Sequence, residues 1–391
     1  PGKPMTTAAL EAETGSTVRP KLPGLESTRF LAAMAIVVFH LIWMAPGLAI
    51  PEQFSFMGNY FGFAVPLFYI VSAFGLCVGY AGRLTTAGEI SEYLRRRFFR
   101  IAPLFYAMIF VYAAYLYLEY GAVPGLAVTA SSALFVFNMI PQHVTGYVWA
   151  SWSIGVEMLF YLLLPVLLIV TTSFRRAAAL FAVSIFVTAM WTEVFATAPS
   201  TLKDFGQFFI LAHALYFAAG ILGYFVWRAI RLRVSLVRQS LVGQLLLLAS
   251  AAVTLWLMSV GSTLTGAYGG PAATKLVWAI AFAGGVVGIA LAPIKGLVNR
   301  ITGTLGRASF SLYLLHPLVI DVLKRRHAFD WFYEVLPDAP AFLLSVVLTL
   351  VILVPLSLMT YKYIEVPGMR LAERKRRRAL ATRATYGVGT G

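Results

Sequence analysis

Ten apolar runs, most of them close to 20 residues long, constrain this chain more than any other feature of it. They lie near residues 27–46, 60–80, 99–119, 151–171, 177–195, 206–227, 240–260, 272–292, 308–323 and 339–361. A helix needs roughly 20 apolar residues to cross the hydrocarbon core of a bilayer. No water inside that core can satisfy backbone N–H and C=O groups, so such runs fold as helices. The expected fold is all-α: a polytopic membrane protein with about ten transmembrane helices. Residues 131–140 (SSALFVFNMI) are half the necessary length and are expected to form a re-entrant or interfacial piece.

Composition agrees. The chain is 60% hydrophobic and 12% charged, where soluble proteins carry about 25% charged residues. No stretch is left over for a separate soluble domain, so three parts are expected. Residues 1–24, rich in Pro, Thr and Glu, form a disordered cytoplasmic segment without the features of a cleavable signal peptide. Residues 25–369 form the membrane domain. Residues 370–391 form a basic cytoplasmic tail. The single cysteine, Cys77, excludes an internal disulfide.

Orientation follows from the charges. With the N-terminus inside and ten crossings, 26 of the 31 Lys and Arg residues fall on the cytoplasmic side. The five outside are Lys203, Lys275, Lys324, Arg325 and Arg326. This is the positive-inside pattern, which an odd helix count would scramble, and it places both termini in the cytoplasm. The net charge of +15 is thereby read as topology and attraction to anionic membrane lipids, with no nucleic-acid partner. A basic inner face also attracts a multiply phosphorylated cytosolic cofactor.

Ionisable groups within the spans are costly and point to function. Away from helix ends there are four: His40, Glu157, His213 and His316. Arg29 and His40 stand eleven positions apart, about three helical turns, so they share one face about 16 Å from each other. A neutral imidazole at that depth suits removal of a hydroxyl proton during attack on a carbonyl, or else it packs against a neighbouring helix. Arg97 and Arg100, spaced i, i+3 in RRRFFRIAPLFY, point the same way. They either anchor the inner face or pair on phosphate oxygens. Glu157 follows Ser153 by one turn on the same face, with Trp149 and Trp152 at the interface. Its carboxylate either orients His40, as the acid of a catalytic triad does, or is a protonated acid bonded to a carbonyl. His316 precedes Pro317 and is either part of the site or a repair of the kinked helix. His213 has no polar neighbours in its helix and is read as structural. No metal site is expected.

Six strings occur in order across residues 25–371: TRFLAAMAIVVFH, VPLFYIVSAFGL, RRRFFRIAPLFY, WSIGVEMLFYLLLP, LGRASFSLYLLHPLV and YKYIEVPGMRL. Together they resemble membrane acyltransferase family 3. The resemblance implies a ten-helix enzyme of the bacterial cytoplasmic membrane that O-acylates sugars of envelope polysaccharides, lipopolysaccharide or peptidoglycan, and sometimes antibiotics. It implies that Arg29 and His40 form the arginine, ten residues, histidine motif, with the histidine catalytic. It implies that Arg97 and Arg100 are the paired arginines associated with the acyl-CoA donor, and that Glu157 is the acid of WS-x-x-x-E. The string VSAF departs from the many relatives with Gly after Ser, and no hydrolase-like domain is expected after the membrane part.

The expected reaction is transfer of an acyl group, most simply acetyl from acetyl-CoA, to a hydroxyl of a sugar, glycan or glycoside. The phosphates lie near Arg29, Arg97 and Arg100, the thioester is threaded towards His40, and Glu157 orients that histidine. Ser72, Ser153, Trp152 and His316 are the further pocket candidates, and Ser72 or Ser153 would carry the acyl group in a covalent relay. A transporter or flippase of acylated lipid or polysaccharide is the alternative, although no matching halves or broken-helix pairs are seen. Acyl length, acceptor and oligomeric state are not encoded legibly.

Overall fold

The computed structural model describes residues 22–45, 48–260 and 272–373. These are almost wholly helical, with no strand among the described residues. Among the described residues there are ten long helices: α1 (Pro23–Met44), α2 (Ala64–Tyr80), α3 (Ala87–Tyr120), α4 (Trp152–Val170), α5 (Phe174–Ala196), α6 (Ala214–Arg233), α7 (Leu236–Ser259), α8 (Ala272–Leu291), α9 (Ser309–Arg325) and α10 (Asp338–Thr360). Among the described residues, nine segments are long and apolar enough to cross a membrane, and they contain every one of these helices except α9.

Helix α9 is 17 residues long, about 25 Å at 1.5 Å per residue, and its last turns carry Asp321, Lys324 and Arg325. Those charges sit at its far end, where Lys324 and Arg325 are exposed and Arg325 pairs with Asp321, whereas Leu312 to Pro317 are all buried. Just before it, the short helix Arg300–Arg307 packs on the start of α1. There Ser27 Oγ and Thr302 Oγ1 are 2.9 Å apart, and a Cβ on Gly306 would stand 1.9 Å from the Glu26 carbonyl oxygen. Helix α9 then runs parallel to α1 and reaches the far end of α3, where Tyr115 hydrogen-bonds Asp321 and Arg326 Nη2 meets Glu119 Oε1 at 3.0 Å. The ninth run is thus a short, largely buried helix preceded by Arg300–Arg307.

Local chemistry sets the helix ends. Pro23 opens α1 in the first turn, where its missing N–H costs nothing. Thr86 and Glu89 cap α3 reciprocally, and Gly121, in the left-handed region at φ 69°, ends it. Residues 131–140 form no crossing. The helix Leu126–Ala133 gives way to a single turn at Phe137–Met139, pinned by buried Asn138, whose Nδ2 donates to the Phe208 carbonyl at 2.9 Å.

Burial separates the inner helices from the outer ones. The most apolar windows of Glu52–Tyr80 and Ile210–Arg233 are 72% and 78% buried, whereas those of α5 and α7 are only 11% buried, which makes α5 and α7 the lipid-facing rim. Helices α2 and α6 touch closely: a Cβ on Gly220 would stand 2.5 Å from the Ile70 carbonyl oxygen and 2.8 Å from Ala73 Cβ. The alanine of VSAF is therefore accommodated by a glycine on the facing helix, the usual small-residue solution for packing within a bilayer.

The described chain begins and ends at one end of the bundle. Leu22 and Arg29 share a cavity wall with Arg100, and Arg100 Nη1 lies 3.8 Å from Met369 Sδ. The segment Asp338–Glu373 continues helically past α10 through a π-helical turn at Tyr361–Glu365. Helix therefore extends slightly beyond residues 25–369. The rest of the expected N-terminal segment and basic tail lies outside the described residues.

Candidate active site

A cavity of about 680 Å³ opens at that end between α1, α2, α3, α4 and α9, within the range of small-molecule and cofactor sites. Pro23 and Arg307, at its mouth, are exposed, whereas Val65, Tyr69, Ser153, Ile154 and Tyr313, at its deep end, are buried. Four arginines line it, Arg29, Arg97, Arg100 and Arg307, against two carboxylates, Glu26 and Glu157. Two of the four cations are thus unmatched on the wall, a surplus that suits a multiply charged anion.

Each charge is held by its neighbours. Arg29 Nη1 is 3.3 Å from Glu26 Oε1, one turn earlier on α1. The Arg97 guanidinium lies 5.9 Å from the ring centre of Tyr80 and 5.8 Å from that of Tyr161, a cation between two aromatic faces. Its Nε is buried and has no hydrogen-bond partner. Glu157 Oε1 accepts from Ser72 Oγ at 2.7 Å and from Tyr161 Oη at 2.6 Å. Below this layer, fully buried Glu365 accepts from Ser311, and its Oε2 is unpaired. The π-turn presents Glu365 there, a helix irregularity frequent at functional sites.

Phe68 and Tyr313 close the deep end, packed edge to face with ring centres 6.2 Å apart. The Tyr313 hydroxyl is 2.7 Å from Ser153 Oγ and 2.9 Å from the Ala150 carbonyl. Ala150 adopts a left-handed backbone, φ 60°, a conformation costly for a residue with a Cβ and concentrated at functional sites. One turn after Tyr313 on α9 comes His316, and His316 faces His40. His40 Nδ1 donates to the Ile36 carbonyl at 3.1 Å, and His316 Nδ1 donates to the Tyr313 carbonyl at 2.5 Å.

The profile of an acyltransferase domain family matches residues 22–358. The chain belongs to acyltransferase family 3. No curated protein and no solved structure matches it.

In this family 3 acyltransferase, the cavity gathers four of the residues that the sequence singles out, Arg29, Arg97, Arg100 and Glu157, with Ser153 on the same wall and Ser72 bonded to Glu157. Three of the expected residues are placed differently from the expectation. His40 is absent from the cavity wall; Tyr313 on that wall meets the His316 ring, which in turn meets His40. Glu157 has the hydroxyls of Ser72 and Tyr161 on its carboxylate in place of His40, whose Nδ1–H is bound to its own helix. Trp152 faces away, stacked on Phe208 at 4.5 Å and His213 at 5.3 Å. His316 joins the site as the ring neighbour of His40. His213 bonds the Gln207 carbonyl at 3.0 Å, as a structural histidine does.

The sequence reading passed over Arg307, Glu365 and the tyrosines 80, 161 and 313. Arg307 reads as one more inner-face charge, and the tyrosines as apolar filler. Spacing held a signal for two of them, since Tyr161 follows Glu157 by four residues and Tyr313 precedes His316 by three.

Proposed function

We propose that this acyltransferase moves an acyl group, acetyl, from cytosolic acyl-CoA to a hydroxyl of a sugar, glycan or glycoside, in the bacterial cytoplasmic membrane with both termini inside. The observation that carries the reading is the cavity itself: four arginines along its wall, an aromatic wall at the deep end, and a histidine pair behind Tyr313. The 26 to 5 distribution of basic residues supports a cytoplasmic mouth.

In this reading the CoA phosphates pair with Arg29, Arg97, Arg100 and Arg307, and the pantetheine arm runs inward past Glu157 and Ser153. The acceptor hydroxyl approaches His40 from the opposite side. With its Nδ1–H bound to Ile36, the neutral imidazole presents a lone pair on Nε2. Nε2 takes the hydroxyl proton as the oxygen attacks the thioester carbonyl. The C–S bond then breaks, and the thiolate leaves and regains the proton from the imidazolium, giving an O-acyl ester and free CoA. Contact between the two substrates requires the Tyr313 ring to swing aside once the acceptor is bound; in the donor complex alone the wall of Phe68 and Tyr313 stays closed. Direct transfer of this kind needs no covalent serine intermediate.

The purified protein, incubated with radiolabelled acetyl-CoA and membrane extract, is expected to yield a labelled glycan or glycoside. A transporter or flippase would move its cargo without acyl-CoA. Thermal stabilisation by CoA, which raises the melting temperature of the state that binds it, separates the two. A melting curve unmoved by saturating CoA would remove the donor site.

A further inference from the structure

We infer that Phe68 sets the length of the acyl group that the donor cavity accepts, holding it to chains of about acetyl size. This rests on the reading of the cavity as an acyl-CoA site. Along α2 the wall runs from Tyr80, beside the Arg97 guanidinium, back to Phe68, twelve residues earlier. At 1.5 Å per residue that distance is about 18 Å, comparable to an extended pantetheine arm. A thioester whose phosphates stay with the arginines therefore arrives where the cavity ends.

What closes that end is unequal in its freedom to move. Tyr313 is tied at its hydroxyl to Ser153 and to the Ala150 carbonyl, and Val65 and Tyr69 are packed in the core at 1% and 2% exposure. Phe68 is only half-buried, presents an apolar ring to the cavity, and touches Tyr313 edge to face. It contributes bulk and no hydrogen bond to the wall, so trimming it enlarges the acyl end without unpairing a polar group. A longer chain in the present cavity would have to displace the Tyr313 ring from its two hydrogen bonds, and each methylene would be gained against that cost.

The test compares the full chain in detergent micelles with Phe68→Ala, titrating CoA, acetyl-CoA, butyryl-CoA and hexanoyl-CoA and following the melting temperature. The wild type is expected to bind CoA and acetyl-CoA alike and hexanoyl-CoA at least tenfold more weakly. Phe68→Ala is expected to bind CoA unchanged and to recover most of that tenfold for hexanoyl-CoA. Phe68→Leu, which keeps most of the packing, serves if the alanine variant fails to fold, and is expected to gain mainly for butyryl-CoA. Wild-type protein that binds hexanoyl-CoA as tightly as acetyl-CoA overturns the inference, as does a folded variant with the wild-type order of preference. Loss of the donor reading itself looks different: the wild type would then respond to no CoA species at all.

Discussion

The imidazoles of His40 and His316 lie 4.7 Å apart, centroid to centroid, with planes tilted by 53°. Each ring spends its Nδ1–H on a carbonyl of its own helix, Ile36 for His40 and Tyr313 for His316. Both Nε2 atoms are left as acceptors, and that of His316 is buried without a partner. Two helices that run in parallel thus bring two fixed tautomers to one point behind the Tyr313 wall of the arginine-lined cavity. An acceptor hydroxyl between the two rings would supply the donor that His316 Nε2 lacks.

Replacing His40 by Ala is therefore expected to lower the turnover of acyl transfer by a factor of about 10² to 10⁴, the usual contribution of a general base. CoA affinity should stay within a factor of about two, because His40 is off the cavity wall. Initial rates with labelled acetyl-CoA, alongside CoA-dependent melting curves, check both halves. Undiminished turnover in a folded variant would remove His40 as the base.

The arginines should divide the donor energy among them. Arg97→Ala and Arg307→Ala are each expected to weaken CoA binding about tenfold, close to 1.4 kcal/mol. The loss should shrink as salt is raised, most of all at exposed Arg307. Titrations at two ionic strengths measure this. Equal affinity in all variants would return the cluster to the role of a cytoplasmic anchor.

Glycine contacts give a test of the fold that does not depend on the chemistry. A Cβ at Gly306 meets the Glu26 carbonyl oxygen at 1.9 Å, and the same addition at Gly303 meets nothing closer than 3.7 Å. Both lie in the helix Arg300–Arg307. Gly303→Ala should be neutral or stabilising by about 0.5–1 kcal/mol through helix propensity. Gly306→Ala must push that helix off α1 and is expected to cost several kcal/mol, since backbone cannot yield as a flexible side chain does. Melting temperatures in micelles should rank them in that order.

These contacts show what a single sequence could and could not disclose. The crossings were legible because lipid imposes a length and an apolar run on each of them, and even short α9 announces itself by SLYLLHPLV. Arg29, Arg97, Arg100 and Glu157 were legible because a charge inside or beside a span needs a reason. Which charges meet was not, since helical spacing fixes neighbours within one helix only. Glu157 and His40 looked like partners as the two polar groups at similar depth, yet Ser72 on α2 and Tyr161 on α4 reach the carboxylate first. Tyr313 was illegible for a related reason: its ring reads as core, and only the tertiary fold brings its hydroxyl to Ser153.

That rearranged partnership can be tested by substitution at Glu157. If the acid oriented His40 as in a hydrolase triad, an amide in its place would lower turnover by about 10⁴ through the wrong tautomer. Here the His40 tautomer is already set by the Ile36 carbonyl, so Glu157→Gln should cost less than about tenfold. The amide oxygen still accepts from Ser72 and Tyr161, at roughly half the strength of a charged acceptor. Removing an anion beside Arg97 should also tighten CoA binding. Glu157→Leu strands both hydroxyls instead and is expected to destabilise the fold by about 1–3 kcal/mol for each. Rates normalised to folded protein separate these outcomes: a 10⁴-fold loss for Gln with native melting would restore Glu157 as the partner of His40, and a loss confined to Leu would establish it as the brace of the cavity wall.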